Sequence, residues 1–413
     1  MKVKAGHVHY RPFRPDDLDA VRDIIRKSFA EEIDSHSQVL ADYPNEAYYQ
    51  PDNLLVAELD RRVISQMGLR DGRLWLSGRP FPAALVGTVC THPEYRGQGI
   101  GGGMLRYSFD ILRGSGVALS YLHTIPPRYN FYRRLGYTPS HHEQTTVVAE
   151  LAELDDTILE QQASLGPDLR RRRALPTDVA ILASLYRETA RRGTGAWSRN
   201  DHFWKRRLQG YPKLWLSGCP DFELAVGEQP LAYVAAIREG SPWRVVELAY
   251  REGAEKTARS LVTGVLASAK TVGAEQVLIT LPSWMEPEEM LAPFTTDVQR
   301  KRESVFLRLH DVGRFLELAT PLLSERADAA DLRVSLSVQG TPSHQLKLGS
   351  GGTDLAVSLG PSHLAALLYN GEAMGELLKA EALKVRPESE DSLSLLCELF
   401  PPTRAGRFPM DGY

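Results

Sequence analysis

The segment Val89-Cys90-Thr91-His92-Pro93-Glu94-Tyr95-Arg96-Gly97-Gln98-Gly99-Ile100-Gly101 limits what this chain can fold into more than any other stretch. A strand ends near Cys90, His92-Pro93 breaks it, and a turn with one arginine and several glycines opens a helix over 99–112. Ile100, Met104, Leu105 and Ile111 supply that helix with apolar positions. Glycines let the backbone approach a ligand closely and point successive N–H groups into one concavity. Those amides, with the positive end of the helix, form a pyrophosphate site to which Arg96 can add a charge-assisted contact.

Gly97, Gly99 and Gly102 also satisfy G-x-G-x-x-G, the spacing of a dinucleotide-binding turn. Such a turn follows the first strand directly, and an acid closes the next strand about 20 residues on. Here several strands precede the turn, and the next strand, 118–123, ends without an acid. Position along the chain therefore argues against a dinucleotide, and no Walker pattern occurs.

The pattern around the turn predicts a short strand at 7–13 and a helix capped by Asp16-Asp17, with Leu18, Val21, Ile24, Ile25 and Phe29 on one face. Strands follow at 53–59, 62–70, 73–76 and 83–90. After the helix come the strand 118–123, a Pro126-Pro127 turn, a short helix over 129–135 closed by Gly136, and a strand at 145–151. This is an α/β unit with a mixed sheet. A polar stretch over 153–173, whose Arg170 to Arg173 run reads as a solvated linker or helix end, leads to a second unit where the order restarts. Thr177-Asp178 caps its first helix, strands fall at 222–226, 230–237, 243–250 and 276–280, and a helix fills 254–272. No glycine-rich turn precedes that helix. From about Val305 a third segment carries strands at 332–339, 344–348 and 353–359, then helices at 362–368, 371–379 and 391–399.

A length of 413 residues suits the three domains that this order suggests, at 1–152, 153–300 and 301–413. The net charge of -3 gives no electrostatic reason to expect nucleic acid or an anionic membrane as partner. Cys90, Cys219 and Cys397 fit neither a disulfide framework nor a zinc pattern, so a reducing cytoplasm is the expected compartment. No run approaches the roughly 18 apolar residues of a membrane span.

Arg96 to Gly101 matches the R-x-x-G-x-G acetyl-CoA signature, and Tyr132-Arg133-Arg134-Leu135-Gly136-Tyr137 resembles the closing F-Y-x-x-x-G-F/Y segment, of the GNAT acetyltransferases. Within that superfamily nearly the whole chain resembles the enhanced intracellular survival (Eis) family, strongly in residues 85–137 and the tail and diffusely elsewhere. The resemblance implies two tandem GNAT-like domains, the second degenerate, and a third domain similar to sterol-carrier proteins. The tail, Leu399-Phe400-Pro401-Pro402 through Met410-Asp411-Gly412-Tyr413, is similar to that family's terminus, which usually ends in Phe. Many members also carry three arginines in the turn, where this chain has Arg96 before Gly97-Gln98.

The resemblance implies an acyltransferase that uses acetyl-CoA and no metal, with direct attack of an amine on the thioester. An alkylammonium of pKa about 10.4 must first lose a proton, at about 4.6 kcal/mol at pH 7. The implied base is the α-carboxylate of Tyr413, and the implied donor to the leaving thiolate is the Tyr132 hydroxyl. The pantetheine arm would add to the strand edge at Val89, Cys90 and Thr91, in the manner of β-augmentation. The phosphates would take Gly97, Gln98, Gly99, Ile100, Gly101 and Gly102, and Pro127 with Arg128 would flank the thioester. Cys90 has no placed histidine base, so it reads as a small core hydrophobe and not as a nucleophile; His92 reads as a loop residue.

The implied acceptors are aminoglycosides, polyamine-like molecules or lysine side chains, and the implied assembly is a homo-hexamer. Glu31, Glu32 and Asp34 would suit a cationic amine, although a solvated acidic face explains them equally well. Trp197, Phe203 and Trp204 either line such a pocket or pack beside it. The competing expectation is a carrier of an apolar ligand with a vestigial acetyltransferase domain, which would need a sizeable apolar tunnel.

Overall fold

The computed structural model describes residues 7–29, 51–210, 218–340 and 342–411. In chain order the strands are β1 (His9–Pro12), β2 (Leu54–Leu59), β3 (Arg62–Leu76), β4 (Arg79–Thr91), β5 (Leu119–His123) and β6 (Thr138–Glu150). The second unit supplies β7 (Arg170–Arg173), β8 (Asp221–Val226), β9 (Pro230–Ile237), β10 (Trp243–Tyr250), β11 (Gln276–Pro282) and β12 (Asp297–Leu309). The third supplies β13 (Leu332–Val338), β14 (His344–Leu348), β15 (Thr353–Leu359) and β16 (Leu383–Arg386). Strands β1 to β12 form one mixed twelve-stranded sheet, in the order β1-β2-β3-β4-β5-β12-β6-β11-β10-β9-β8-β7, and the third unit has its own sheet, β14-β13-β15-β16.

The first two units interlock at the middle of the large sheet. β12 leaves its own unit to lie between β5 and β6, and β6 lies between β12 and β11. The two long strands pair antiparallel over residues 138–148 and 297–307. β12 therefore straddles the 300/301 boundary that the sequence suggests and completes the sheet of the first unit. In each unit a parallel pair stops early. β4 meets β5 only over residues 83–85 and 119–121, and β10 meets β11 only over 243–245 and 277–279. Beyond those points the strands diverge and leave a V-shaped opening.

A local device is repeated as well. Asp17 takes the N–H of Arg14 at 2.7 Å and both terminal nitrogens of Arg11, at 2.7 and 2.8 Å. Asp178 does the same with Leu175, at 2.7 Å, and Arg172, at 2.6 and 2.8 Å. Each aspartate thus closes a Pro-led 3-10 turn and ties the edge strand to the first helix. Neither carboxylate caps an N–H of the helices Leu18–Ser28 and Val179–Ala190, which corrects the expected capping. The Arg170 to Arg173 run is likewise not a linker: it is β7, paired with β8, with Arg172 gripping Asp178. A four-arginine edge strand has the composition of a solvated loop, and only its backbone ladder reveals it.

β3 runs unbroken through Asp71-Gly72, where two strands were expected, because Gly72 lies against the Trp197 ring. β6 begins at Thr138, seven residues before the predicted start, with polar side chains that tertiary partners satisfy. One face of the first unit's sheet buries Ile100, Met104, Leu105, Phe109, Tyr132, Tyr137 and Phe306. The opposite face buries Leu85, Tyr121 and Leu307 with Trp197 and with Tyr369 and Phe400 of the third unit.

Candidate active site

The glycine-rich turn lies at the open end of β4. Gly97 and Gly99 hold φ values of 75° and 80°, a left-handed backbone that other residues adopt only with strain, and the space around both is open. Gly99 caps the helix Ile100–Gly114 without help from any side chain. The first amide to close on the helix is that of Gly103, which donates to Gly99 O at 2.9 Å, so the N–H groups of Ile100, Gly101 and Gly102 precede the helical ladder. A cradle of free amides at a helix N-terminus is the arrangement that binds pyrophosphate. At Gly103 the glycine has a packing role, since a Cβ there would lie 1.9 Å from the Tyr10 hydroxyl.

Arg96 does not point into this cradle. Its Nε donates to Thr91 O at 3.0 Å and a terminal nitrogen donates to Ser28 Oγ at 3.1 Å, so it braces the turn against β4 and the first helix. Gln98 leans back on the Glu94 carbonyl at 3.5 Å.

Between Val86 and Thr91, β4 has no β5 partner among the described residues. A bulge at residues 88–89 skews the β3–β4 register, and Thr88 is held at φ 45°. Gln66 fixes the bulge by donating to the Thr88 carbonyl, and its Nε2 lies 3.1 Å from Cys90 Sγ. Ser65 Oγ donates to Cys90 O at 2.8 Å. Burial pushes the Cys90 thiol up to about 11, so it stays protonated and is a poor nucleophile. His92 sits in the following loop, 3.1 Å from Lys27 Nζ.

Tyr132 projects from the short helix Tyr129–Arg133 and is buried among Phe131, Tyr137 and Phe306, with ring centroids 5.0, 5.8 and 6.1 Å away. Its hydroxyl makes no hydrogen bond to a described residue. Burial pushes the phenol up to about 12, offset by the Arg128 charge and reinforced by Cys90. Thr91 and Phe131, the neighbour of Tyr132, both lie within 4 Å of a Cβ added at Gly101, so the end of β4, the turn and the short helix meet there. Pro127 and Arg128 lie exposed in the 3-10 turn Pro126–Arg128 just before that helix.

The opposite face of the opening carries residues that local sequence patterns did not single out. His123, at the end of β5, lies 2.6 Å from the Tyr121 hydroxyl and 4.0 Å from Glu303 on β12. Glu303 contacts His142 Nε2 at 3.0 Å, Arg407 at 3.0 Å and Lys301 at 2.6 Å. Burial holds the His142 imidazole down at about 4, and the His142 contact with the Arg407 charge holds Glu303 well below the carboxylate range. The two histidines and Glu303 lie close enough to share a metal ion, but Arg407 and Lys301 already supply cations to both glutamate oxygens.

Arg407 belongs to a tail that is tied down along its length. Glu143 N donates to Ala405 O at 2.7 Å, Gly406 N to Thr194 O at 2.9 Å, and Gln144 Nε2 to Arg407 O at 2.9 Å. Phe408 and Met410 are fully buried. Tyr413, Glu31, Glu32 and Asp34 lie outside the described residues. Trp197, Phe203 and Trp204 are buried in the core, where they pack instead of lining an open pocket.

Residues 9–140 match the family described as Acetyltransferase (GNAT) domain. No curated protein matches the chain. Among solved structures it is similar to a GCN5-related N-acetyltransferase from Kribbella flavida, at 19% identity and a TM-score of 0.69, covering 98% of each chain. It is similar to a GCN5-related N-acetyltransferase from Anabaena variabilis, at 13% identity and a TM-score of 0.71, covering 97% of this chain and 99% of that one. It is also similar to Eis1 from Mycobacterium abscessus, at 16% identity and a TM-score of 0.66, covering 98% of this chain and all of that one, 100%. The chain thus carries a GNAT acetyltransferase domain within an α/β fold shared, nearly end to end, with proteins of that class. No described helix is long and apolar enough to cross a membrane.

Proposed function

We propose that this protein is an acetyl-CoA-dependent N-acetyltransferase acting on a primary amine of a cationic acceptor. The observation that carries the reading is Tyr132, a phenol held protonated by burial, with the strand edge that β5 leaves and an open amide cradle in the same unit. Acetyl-CoA would lay its phosphates on the amides of residues 97–102 and its pantetheine arm along Val89 to Thr91. The acceptor nitrogen attacks the thioester carbonyl, the carbon–sulfur bond breaks, and Tyr132 gives its proton to the departing sulfur. The proton from the amine passes to the α-carboxylate of Tyr413, a role supported by the tying down of the tail as far as Asp411.

A panel of amines with acetyl-CoA, read by thiol release, tests the reading. Turnover with aminoglycosides, polyamines or lysine peptides, lost on deletion of Tyr413 while acetyl-CoA still binds, is the expected result. Silence with every amine, together with tight binding of an apolar ligand, would overturn it in favour of a carrier. The groove on the third unit gives that rival little support: its roughly 690 Å³ are lined by Leu378, Leu383 and Val385 but rimmed by Glu381, Lys384 and Arg386.

A further inference from the structure

The opening between β10 and β11 in the second unit corresponds to the acyl-donor opening of the first, and it is filled by the chain's own tail. At its β11 side, Gly406 lies so close that an added Cβ would fall 2.9 Å from Pro282 Cβ, and Trp284 Nε1 donates to Gly406 O at 3.1 Å. At its β10 side, Asp411 meets Arg199, whose Nε donates to Asp411 Oδ1 at 2.8 Å. The same guanidinium donates to both oxygens of Glu247, one of them at 2.7 Å, at the β10 bulge. Arg199 also stacks 3.8 Å from the Tyr186 ring centroid, and the Tyr186 hydroxyl lies 2.8 Å from Asp411 Oδ2. All three charged side chains are buried, at 0%, 0% and 1% exposure for Arg199, Glu247 and Asp411.

Arg199 is itself anchored to the first unit. The segment before it bonds along β3, through Trp75 N to Ala196 O at 2.9 Å and Ser198 N to Arg73 O at 2.8 Å. The seat therefore joins the first unit, the second unit and the tail at one guanidinium. Burial holds the Tyr121 phenol up, with the Asp411 charge adding to it, and the Tyr121 hydroxyl lies 2.6 Å from His123 at the end of β5. Two further residues of chain reach at most about 7 Å.

We propose that the degenerate second unit is the receptor for the chain's terminus, and that Asp411, gripped by Arg199 and Glu247, is a positioning residue that aims the terminal carboxylate at the acceptor amine. This inference rests on the reading that the Tyr413 carboxylate takes the amine's proton. It explains why a unit without a phosphate cradle keeps a divergent strand pair: the opening holds a peptide instead of a cofactor.

Asp411→Ala is the informative variant, because it leaves Arg199 and Glu247 as a charge-balanced pair and spares the fold. Its kcat should fall at least tenfold with the KM for acetyl-CoA unchanged, and Asp411→Asn, which still accepts the Arg199 Nε hydrogen bond, should recover part of the loss. In a chain already lacking Tyr413, Asp411→Ala should change kcat no further, since a residue that acts only through the terminus has nothing left to act on. Full activity in Asp411→Ala, where deletion of Tyr413 abolishes turnover, would overturn the seat and leave the base standing. A further drop in the Tyr413-deleted chain would mark Asp411 as structural and also overturn the proposal. Unchanged turnover on deleting Tyr413 would defeat the base, and the seat with it. Arg199→Lys, which keeps the charge but loses the fork, gives a second reading with the same expected direction.

Discussion

The two interlocked units share a strand order, a parallel pair that separates early and a closing aspartate turn, yet they treat the same opening in opposite ways. In the first, Gly97 and Gly99 turn three amides outward at a helix that no side chain caps. In the second, the corresponding helix Glu255–Thr271 also lacks a side-chain cap, but it begins with a carboxylate. Glu255 sets a negative charge at the positive end of its own helix and would repel a pyrophosphate. Arg192, stacked 4.1 Å over Tyr250 and 3.7 Å from Glu255, covers the approach. The early divergence of the strands makes a slot in each unit, and the two slots part at the helix start: glycines and open space in the first, a carboxylate in the second.

The comparison is most easily broken at Tyr132. Replacing it by Phe removes only an oxygen that bonds to no described residue, so stability should change little. The kcat should fall by about 100- to 10,000-fold, the range for a lost general acid, with the KM for acetyl-CoA nearly constant. A small effect would mean that the thiolate takes its proton elsewhere. Because the Tyr132 phenol is held up at about 12, it keeps its proton at least to its ordinary value of 10.0. Its contribution to stability is whole below pH 10 and lost as the pH rises toward 12, so any limb in the rate profile below pH 10 must come from another group.

A second contrast lies in the exchanged strands. The register that pairs Glu303 with His142 also pairs Arg302 with Glu143, its counterpart on the other side. His142 is buried with a folded pKa near 4, below its ordinary 6.5, so its contribution to stability is whole above pH 6.5 and lost as the pH falls toward 4. Protonating it in place would cost about 3 kcal/mol. Urea midpoints at pH 7.5 and 4.5 should therefore differ less in His142→Gln than in the parent chain. Arg302→Gln, the control on the neighbouring pair, should leave the acid slope alone. Equal slopes in all three proteins would show that the histidine is not what loosens in acid.

How much of this was legible in sequence follows from the range of the contacts. β9, β10, β14 and β15 coincide residue for residue with the apolar patterns and turn signals that predicted them. The cradle was legible too, because its glycines and helix are contiguous. β12 and the first half of β6 were not, since their exposed or polar residues, Arg300 to Glu303 and His141 to Gln144, belong in a sheet only once the other strand and the tail meet them. The tail's seat was hidden for the same reason. Arg199, Glu247 and Asp411 are scattered singly along the chain, and no spacing rule joins a guanidinium to a carboxylate 212 positions away. Their signal would have been charge in otherwise apolar strands: Glu247 is the only acid in β10.

The finest test carries the second unit's acid into the first. Gly101 faces ordinary contacts, with Phe131 Cζ 3.6 Å and Thr91 Oγ1 3.8 Å from an added Cβ, so Gly101→Asp should fit. An aspartate in the first turn favours the helix by about 0.3–1 kcal/mol, and replacing a helical glycine adds to that gain. The melting temperature should hold or rise slightly. The same carboxylate would stand at the proposed phosphate site, where a repulsion of about 1.4 kcal/mol is a tenfold rise in the KM for acetyl-CoA. The reciprocal change, Glu255→Gln, should cost the second unit about 0.3–1 kcal/mol and leave that KM unchanged. Loss of acetyl-CoA affinity without loss of stability in one unit, and loss of stability without loss of affinity in the other, is the pattern that two uses of one opening require. A KM untouched by Gly101→Asp would remove the phosphates from this turn.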